Sequence, residues 1–295
     1  MEYIIETNAV TKRYGAQKAV DKVSLRVRKG EIYGLIGKNG AGKTTLMKLI
    51  LGLCNPNEGE IRLFGGVDLP KARRRTGALV EIPALYLNCS AYENMIRFGY
   101  LSGATKEEIE ELLTLVGLQN AAKKKVSQFS LGMKQRLGIA VALLGSPELL
   151  ILDEPVNGLD PAGIKEIRDL LVDLSSRGVT ILVSSHLLDE LGRIATTFGI
   201  MRNGQLVEEI TAAELTKQCR SMLEVITSDG EEALKALFAW RPDLEVQRTY
   251  NKLRIASKIE DPSEVNLILT GAGLRVYELK TVYANPETYF IERMG

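Results

Sequence analysis

Gly37-Lys38-Asn39-Gly40-Ala41-Gly42-Lys43-Thr44 is the stretch that decides the fold. It fits the pattern G-x-x-x-x-G-K-[ST], and its flanks fit too. Ile32–Ile36 ahead of it reads as a buried strand, and Lys43–Leu51 behind it as a helix. Three glycines let the backbone curl until successive N–H groups point at one place. The helix adds the positive end of its dipole. Such a loop holds phosphate. Lys43 is expected to neutralise the β- and γ-phosphates of a nucleoside triphosphate, and the Thr44 hydroxyl to bind Mg²⁺. Gly37, Asn39, Gly40, Ala41, Gly42 and Thr45 complete the expected cradle. The loop alone does not say which nucleoside triphosphatase this is.

Leu149-Leu150-Ile151-Leu152-Asp153-Glu154 is the second landmark. Four apolar residues make a buried strand, and two carboxylates follow where it must open to solvent. At the carboxyl end of a strand in an α/β sheet they face the crevice in which ligands bind. Asp153 is expected to reach the metal, and Glu154 the attacking water. An ordinary strand ending in a polar turn before Pro155 would look the same in isolation. The phosphate loop upstream favours the catalytic reading.

Strand-like Ile32–Ile36, Leu149–Leu152 and Thr180–Ser184 alternate with helical Lys43–Leu51, Pro161–Ser176 and Leu187–Ile194. That alternation predicts an α/β core, a mainly parallel sheet with helices on both faces. Tyr3–Thr7, Val23–Arg28 and Glu60–Phe64 read as an antiparallel β subdomain. Residues 91–121 read as an α-helical one, with Ile109, Leu112, Leu113 and Val116 at helical spacing. The pattern changes after Thr211. Strand Ser221–Thr227, helix Glu231–Ala239, strands Leu244–Arg248 and Lys252–Ala256, helix Asp261–Thr270 and strand Leu274–Leu279 follow the order β-α-β-β-α-β. A last helix is expected from Pro286, capped by Asn285. We therefore expect a nucleotide-binding domain over 1–210 and a small α+β C-terminal domain, split-βαβ in type, over 211–295.

Composition narrows the setting without naming a function. The chain of 295 residues carries 38 Lys+Arg against 37 Asp+Glu, a net charge of +1, and so lacks the basic excess of a phosphate-gripping nucleic-acid binder. The runs Lys71–Arg75 and Lys123–Lys125 read as solvated surface. No secretory signal is recognised, and Cys54, Cys89 and Cys219 keep no metal-ligand spacing, so a reducing cytoplasm is expected. No apolar run reaches the roughly 18 residues needed to span a bilayer.

From Tyr14 to His186 the chain resembles the ATP-binding cassette (ABC) ATPases, with motifs in family order. The more specific element is Phe129-Ser130-Leu131-Gly132-Met133-Lys134-Gln135-Arg136, which resembles the cassette signature although Leu131 and Met133 depart from its commonest spelling. The resemblance implies that Ser130 and Gly132 bind the γ-phosphate held by another subunit. Physically, a hydroxyl and free N–H groups opening a helix at Leu131 make an anion site, though a plain helix N-cap would look alike. Asn157-Gly158-Leu159-Asp160 resembles the family's D-loop. His186, the single histidine, stands where the family has a switch histidine on the γ-phosphate and lytic water. Tyr14 stands where an aromatic stacks on adenine.

One departure points to a subfamily. The family's usual metal-side glutamine is replaced within Val80-Glu81-Ile82-Pro83 by Glu81, a substitution shared by cassettes of bacitracin- and lantibiotic-type export and immunity systems. The resemblance implies ATP and Mg²⁺ as cofactors, with Glu81 beside Thr44 and Asp153 on the metal. It implies a nucleotide-dependent homodimer (or a pair with a closely related cassette), a separate transmembrane permease and no nucleic acid. The chain would lie peripherally on the inner face of the cell membrane. A cassette ATPase without a membrane partner is the rival; its translation type carries two cassettes and its chromosome type long coiled coils, neither of which this chain shows. A regulatory module with a dead site is a further rival, disfavoured because every catalytic position is filled.

Overall fold

The computed structural model describes residues 2–186, 191–219, 222–257, 259–282 and 286–294. The start of the helix expected at Leu187–Ile194 and the cap Asn285 lie outside those residues. The chain forms two compact units, Met1–Ala212 with Phe290–Gly295, and Ala213–Tyr289.

In the first unit six strands form one sheet, in the order Gln205–Thr211, Thr197–Arg202, Ile32–Ile36, Thr180–Ser185, Leu149–Asp153, Thr76–Leu79. All neighbours are parallel except the first pair. Ile32–Ile36, Leu149–Asp153 and Thr180–Ser185 are buried along their whole length, as strands covered on both faces must be. Because the strands run parallel, Ile36, Leu79, Asp153 and Ser185 all finish at one edge. Gly37, Glu81, Glu154 and His186, singled out from the sequence, follow those four ends.

Thr76–Leu79 was not expected, since Gly77 and Ala78 have little strand propensity. Packing selects the glycine: a side chain at 77 would run into the carbonyl oxygen of Ala142. The antiparallel sheet also differs from expectation. Tyr3–Tyr14 is one long strand rather than a short one ending at Thr7, and it pairs with Gln17–Val23, Arg26–Arg28 and Glu58–Leu63. Register shifts along Tyr3–Tyr14 let a single strand serve three partners. The helical stretch holds Ala91–Ser102 and Lys106–Leu115. Ser90 and Glu93 cap the first reciprocally: Ser90 Oγ accepts from Glu93 N, and Ser90 N donates to Glu93 Oε2.

The second unit has the order and pairing of a split-βαβ fold. Its antiparallel sheet runs Val246–Thr249, Lys252–Ile255, Met222–Thr227, Val276–Val282, and the helices Gly230–Trp240 and Pro262–Gly271 help bury one core. That core contains Leu223, Val225, Leu237, Leu253, Ile255, Val265 and Leu269. On the alternate positions Glu224 is buried among Lys252 (2.7 Å), Arg254 (3.1 Å) and Lys280 (3.5 Å). The hydrogen bond from Lys252, seconded by one from Arg254, outweighs burial and lowers its pKa to about 2.

The end of the chain departs from the expected domain division. Phe290 belongs to the first unit, where its fully buried ring lies 5.3 Å from that of Phe198, and Arg293 Nε pairs with Glu208 Oε2 at 3.0 Å. The helix Pro286–Met294 is amphipathic, and its apolar side needs a core to enter.

Candidate nucleotide site

The phosphate loop links a buried strand to a helix by a tight path. Ala41 N donates to Lys38 O (3.0 Å), and Gly204 N to Ala41 O (3.0 Å), so the loop is closed on itself and fastened to a neighbouring turn. Gly40 and Gly42 take φ of +82° and +105°, which only glycine adopts freely. Gly37 and Ala41 are buried, whereas Asn39 and Gly40 stand exposed at the tip. Thr44 and Thr45 are half-buried in the first turn of the helix.

Lys43 is buried and turned back into the loop. Its Nζ donates to Gly37 O (2.6 Å) and Lys38 O (3.4 Å), and lies 3.2 Å from Glu154 Oε1. The last approach is an ion pair without a hydrogen bond, for Glu154 Oε1 is buried and has no hydrogen-bond partner. The other oxygen of Glu154 is engaged: His186 Nδ1 lies 2.7 Å from Oε2, and His186 N donates to it at 3.4 Å. Glu154 holds φ +49°, an uncommon conformation for a non-glycine residue and one that tends to occur at functional sites. Lys43, Glu154 and His186, three expectations from distant parts of the sequence, thus meet in one cluster.

A second cluster adjoins it. Thr44 Oγ1 donates to Asp153 Oδ2 at 2.7 Å, and Ser184 Oγ donates to Asp153 Oδ1 at 2.6 Å. A hydroxyl and a carboxylate are hard oxygen donors, the set that Mg²⁺ takes alongside water and phosphate oxygens, so the residues present fit that ion. Ser184 was missed from the sequence. It also accepts from Glu154 N at 2.9 Å, and so fixes both members of the acidic pair. The signal lay in the parallel register, which sets Asp153 opposite Ser184. Replacing Ser184 by Ala strands a buried carboxylate oxygen and a backbone N–H. The variant is expected to lose about 1–3 kcal/mol of stability, to be read from denaturant unfolding.

Glu81 follows the strand Thr76–Leu79 at the same edge, with φ +63°. Its Oε1 accepts from Lys48 Nζ at 2.6 Å. That hydrogen bond, outweighing desolvation, raises the pKa of Lys48. Tyr14 ends its strand half exposed, with its hydroxyl 4.0 Å from Cys54 Sγ and Lys12 Nζ 5.3 Å from the ring centre. Burial and then the Cys54 thiol raise its pKa.

The signature residues form a separate group. Ser130 Oγ accepts from Met133 N at 3.3 Å and caps the helix Leu131–Ala142, as expected, but neither Ser130 nor Gly132 hydrogen-bonds to the phosphate loop. The Leu131 side chain lies against Gly158, and that of Leu159 against Gly132. Leu131 and Gly132 therefore pack against Gly158 and Leu159.

Residues 20–157 match the family described as ABC transporter. Over 302 residues the chain is 44% identical to the bacitracin transport ATP-binding protein BcrA of Enterococcus faecalis, with 100% of this chain and 97% of that protein covered. The chain belongs to the ABC transporter family. Membership makes this cassette an ATPase whose hydrolysis serves transport. Other similarities agree. The cassette is 44% identical over 206 residues to the lantibiotic transport ATP-binding protein SrtF of Streptococcus pyogenes, covering 70% of this chain and 90% of the relative. A dimeric structure of a bacterial ABC transporter cassette superposes with a TM-score of 0.65 at 27% identity, covering 71% of this chain and 99% of that one.

Proposed function

We propose that this cassette drives export of a peptide antibiotic of the bacitracin or lantibiotic type through a separate membrane permease. Two copies, or one copy with a closely related cassette, close around two nucleotides. Each site takes the phosphate loop, Asp153, Glu154 and His186 from one chain, and Ser130 and Gly132 from the other. Tyr14 stacks on the adenine. Mg²⁺ is held through Thr44 and Asp153, with Glu81 on the same side, and when bound it neutralises charge on the β- and γ-phosphates.

The observation that carries this reading is the cluster in which Glu154 stands between Lys43 and His186. A buried carboxylate oxygen without a hydrogen bond, paired with the phosphate-loop lysine at 3.2 Å, is placed to accept a proton from water once that lysine turns to phosphate. His186 on the other oxygen orients the carboxylate. Lys43 exchanges its two carbonyl contacts for phosphate oxygens, so the loop is preorganised with its cation already inside. That neither Ser130 nor Gly132 hydrogen-bonds to that cluster among the described residues supports a site completed by a second chain, as does the likeness to a dimeric cassette.

The permease surface is proposed on the helical stretch that follows Glu81. Ile82, Tyr86, Leu87, Ile96, Tyr100 and Leu101 are exposed there, with Tyr100 and Leu101 87% and 88% accessible. Large apolar side chains at that exposure suit a protein partner better than water. Among the described residues no helix is long and apolar enough to cross a membrane. The proposed place is the inner face of the cell membrane, held there by the permease, and the unit 213–289 is proposed to be an accessory module.

The experiment is reconstitution. Co-expressed with its permease in vesicles, the cassette should hydrolyse ATP several-fold faster than alone, and cells carrying the pair should survive raised bacitracin or lantibiotic. An ATPase rate indifferent to the permease would sink the proposal.

A further inference from the structure

We propose that Lys48 is a positioning residue for Glu81, holding its carboxylate on the metal-facing side of the phosphate-loop helix as an electrically neutral pair. The inference rests on the proposed reading of Thr44, Asp153 and Glu81 as the metal side of the site.

The grounds are geometrical. Thr44 and Lys48 stand four residues apart in the helix Lys43–Leu51, and so share one face of it. On that face the Thr44 hydroxyl is bonded to Asp153. The strand Thr76–Leu79 runs parallel to Leu149–Asp153 with Leu79 beside Leu152, so the chain leaving it at Val80-Glu81 comes off the sheet next to Asp153 and Glu154. There the backbone of Glu81 turns with φ +63°, and its carboxylate is met by Lys48 at 2.6 Å. Left-handed backbone at a glutamate persists where its surroundings hold it. Among the described residues, the bond from Lys48 is the side-chain hydrogen bond that Glu81 makes.

Charge explains why a cation is needed. An amide at position 81 would offer an oxygen and no charge. A carboxylate leaves a negative charge at the sheet edge that also carries Asp153 and Glu154, and it strengthens the local attraction for a divalent cation. Lys43 is engaged with Glu154 and the loop carbonyls, so it does not balance Glu81. Lys48 does. The pair is partly solvated, with side-chain exposures of 33% and 61%, so its strength is modest and its partners remain exchangeable. The carboxylate is held in reach of the metal side without adding net charge there.

The test follows binding of trinitrophenyl-ATP to the full chain across a Mg²⁺ titration, so that turnover is not the readout. Lys48→Met, which releases Glu81, is expected to raise the Mg²⁺ concentration for half-maximal binding about two- to fivefold, the range of a partly exposed ion pair. Lys48→Arg is expected to keep the parent value. Glu81→Gln is expected to shift the Mg²⁺ requirement by itself, and to abolish the effect of a second Lys48→Met change. If Lys48→Met shifts the requirement equally in both backgrounds, Lys48 acts on the nucleotide directly and the proposal fails. If Lys48→Met shifts nothing while Glu81→Gln does, the Lys48 assignment fails and the reading of Glu81 stands. If Glu81→Gln shifts nothing, the metal-side reading of Glu81 fails and the proposal with it.

Discussion

Glu154→Gln is expected to slow ATP hydrolysis by about a hundredfold to ten-thousandfold, the range for removing a general base, while nucleotide binding persists. Glutamine keeps the size of the side chain and its bond to His186, so the edge of the sheet should hold its shape. What it loses is the carboxylate's ability to take a proton from water. It also takes the negative partner from Lys43, which leaves the lysine more fully committed to phosphate. The variant should therefore bind ATP at least as tightly as the parent and accumulate as a nucleotide-bound dimer. Steady-state phosphate release, nucleotide titration and size-exclusion chromatography together check it. Hydrolysis at the parent rate would remove Glu154 from the chemistry.

A comparable loss, by a different route, is expected from Gly42→Ala. Gly42 caps the phosphate-loop helix with φ +105°, and a methyl group there meets the carbonyl oxygen of Ala19, with Met201 Cε at 3.2 Å. A carbonyl oxygen has no way to yield except by moving the strand that carries it. The helix start must shift instead, carrying Lys43 and Thr44 out of line with the loop. Nucleotide affinity is expected to fall at least about a hundredfold, equivalent to about 2.7 kcal/mol, and the melting temperature to drop with it. Gly40→Ala is the control. Gly40 also has positive φ, but open space surrounds it, so its cost is backbone strain alone. Equal effects of the two substitutions on nucleotide affinity would refute the steric argument.

Elements whose signals are local were legible in the sequence. The strands around Ile32–Ile36 and Leu149–Asp153, the helices Lys43–Leu51 and Pro161–Ser176 and the cap at Ser130 each rest on a run of neighbouring residues. The β-α-β-β-α-β order of the second unit came from the same kind of reading. Lys43, Glu154 and His186 also meet as their strand-end positions implied. Other features depend on contacts between distant residues. Ser184 matters because register sets it across from Asp153, and Lys48 because a loop 33 residues away returns to it. Thr76–Leu79 is a strand through its neighbours rather than through its own propensity. The long first strand was cut short at Thr7 because its alternation breaks where its register shifts.

The return of Phe290 to Phe198 has a topological consequence. Ala212 N bonds to Thr196 O, so the polypeptide departs from and comes back to nearly the same place on one strand. The unit between is spliced into the motor like a bead on a closed ring. Its termini stay bracketed even when it melts, which trims the entropy its own unfolding can gain. Nature or an engineer could exchange that bead for another without cutting the mainspring.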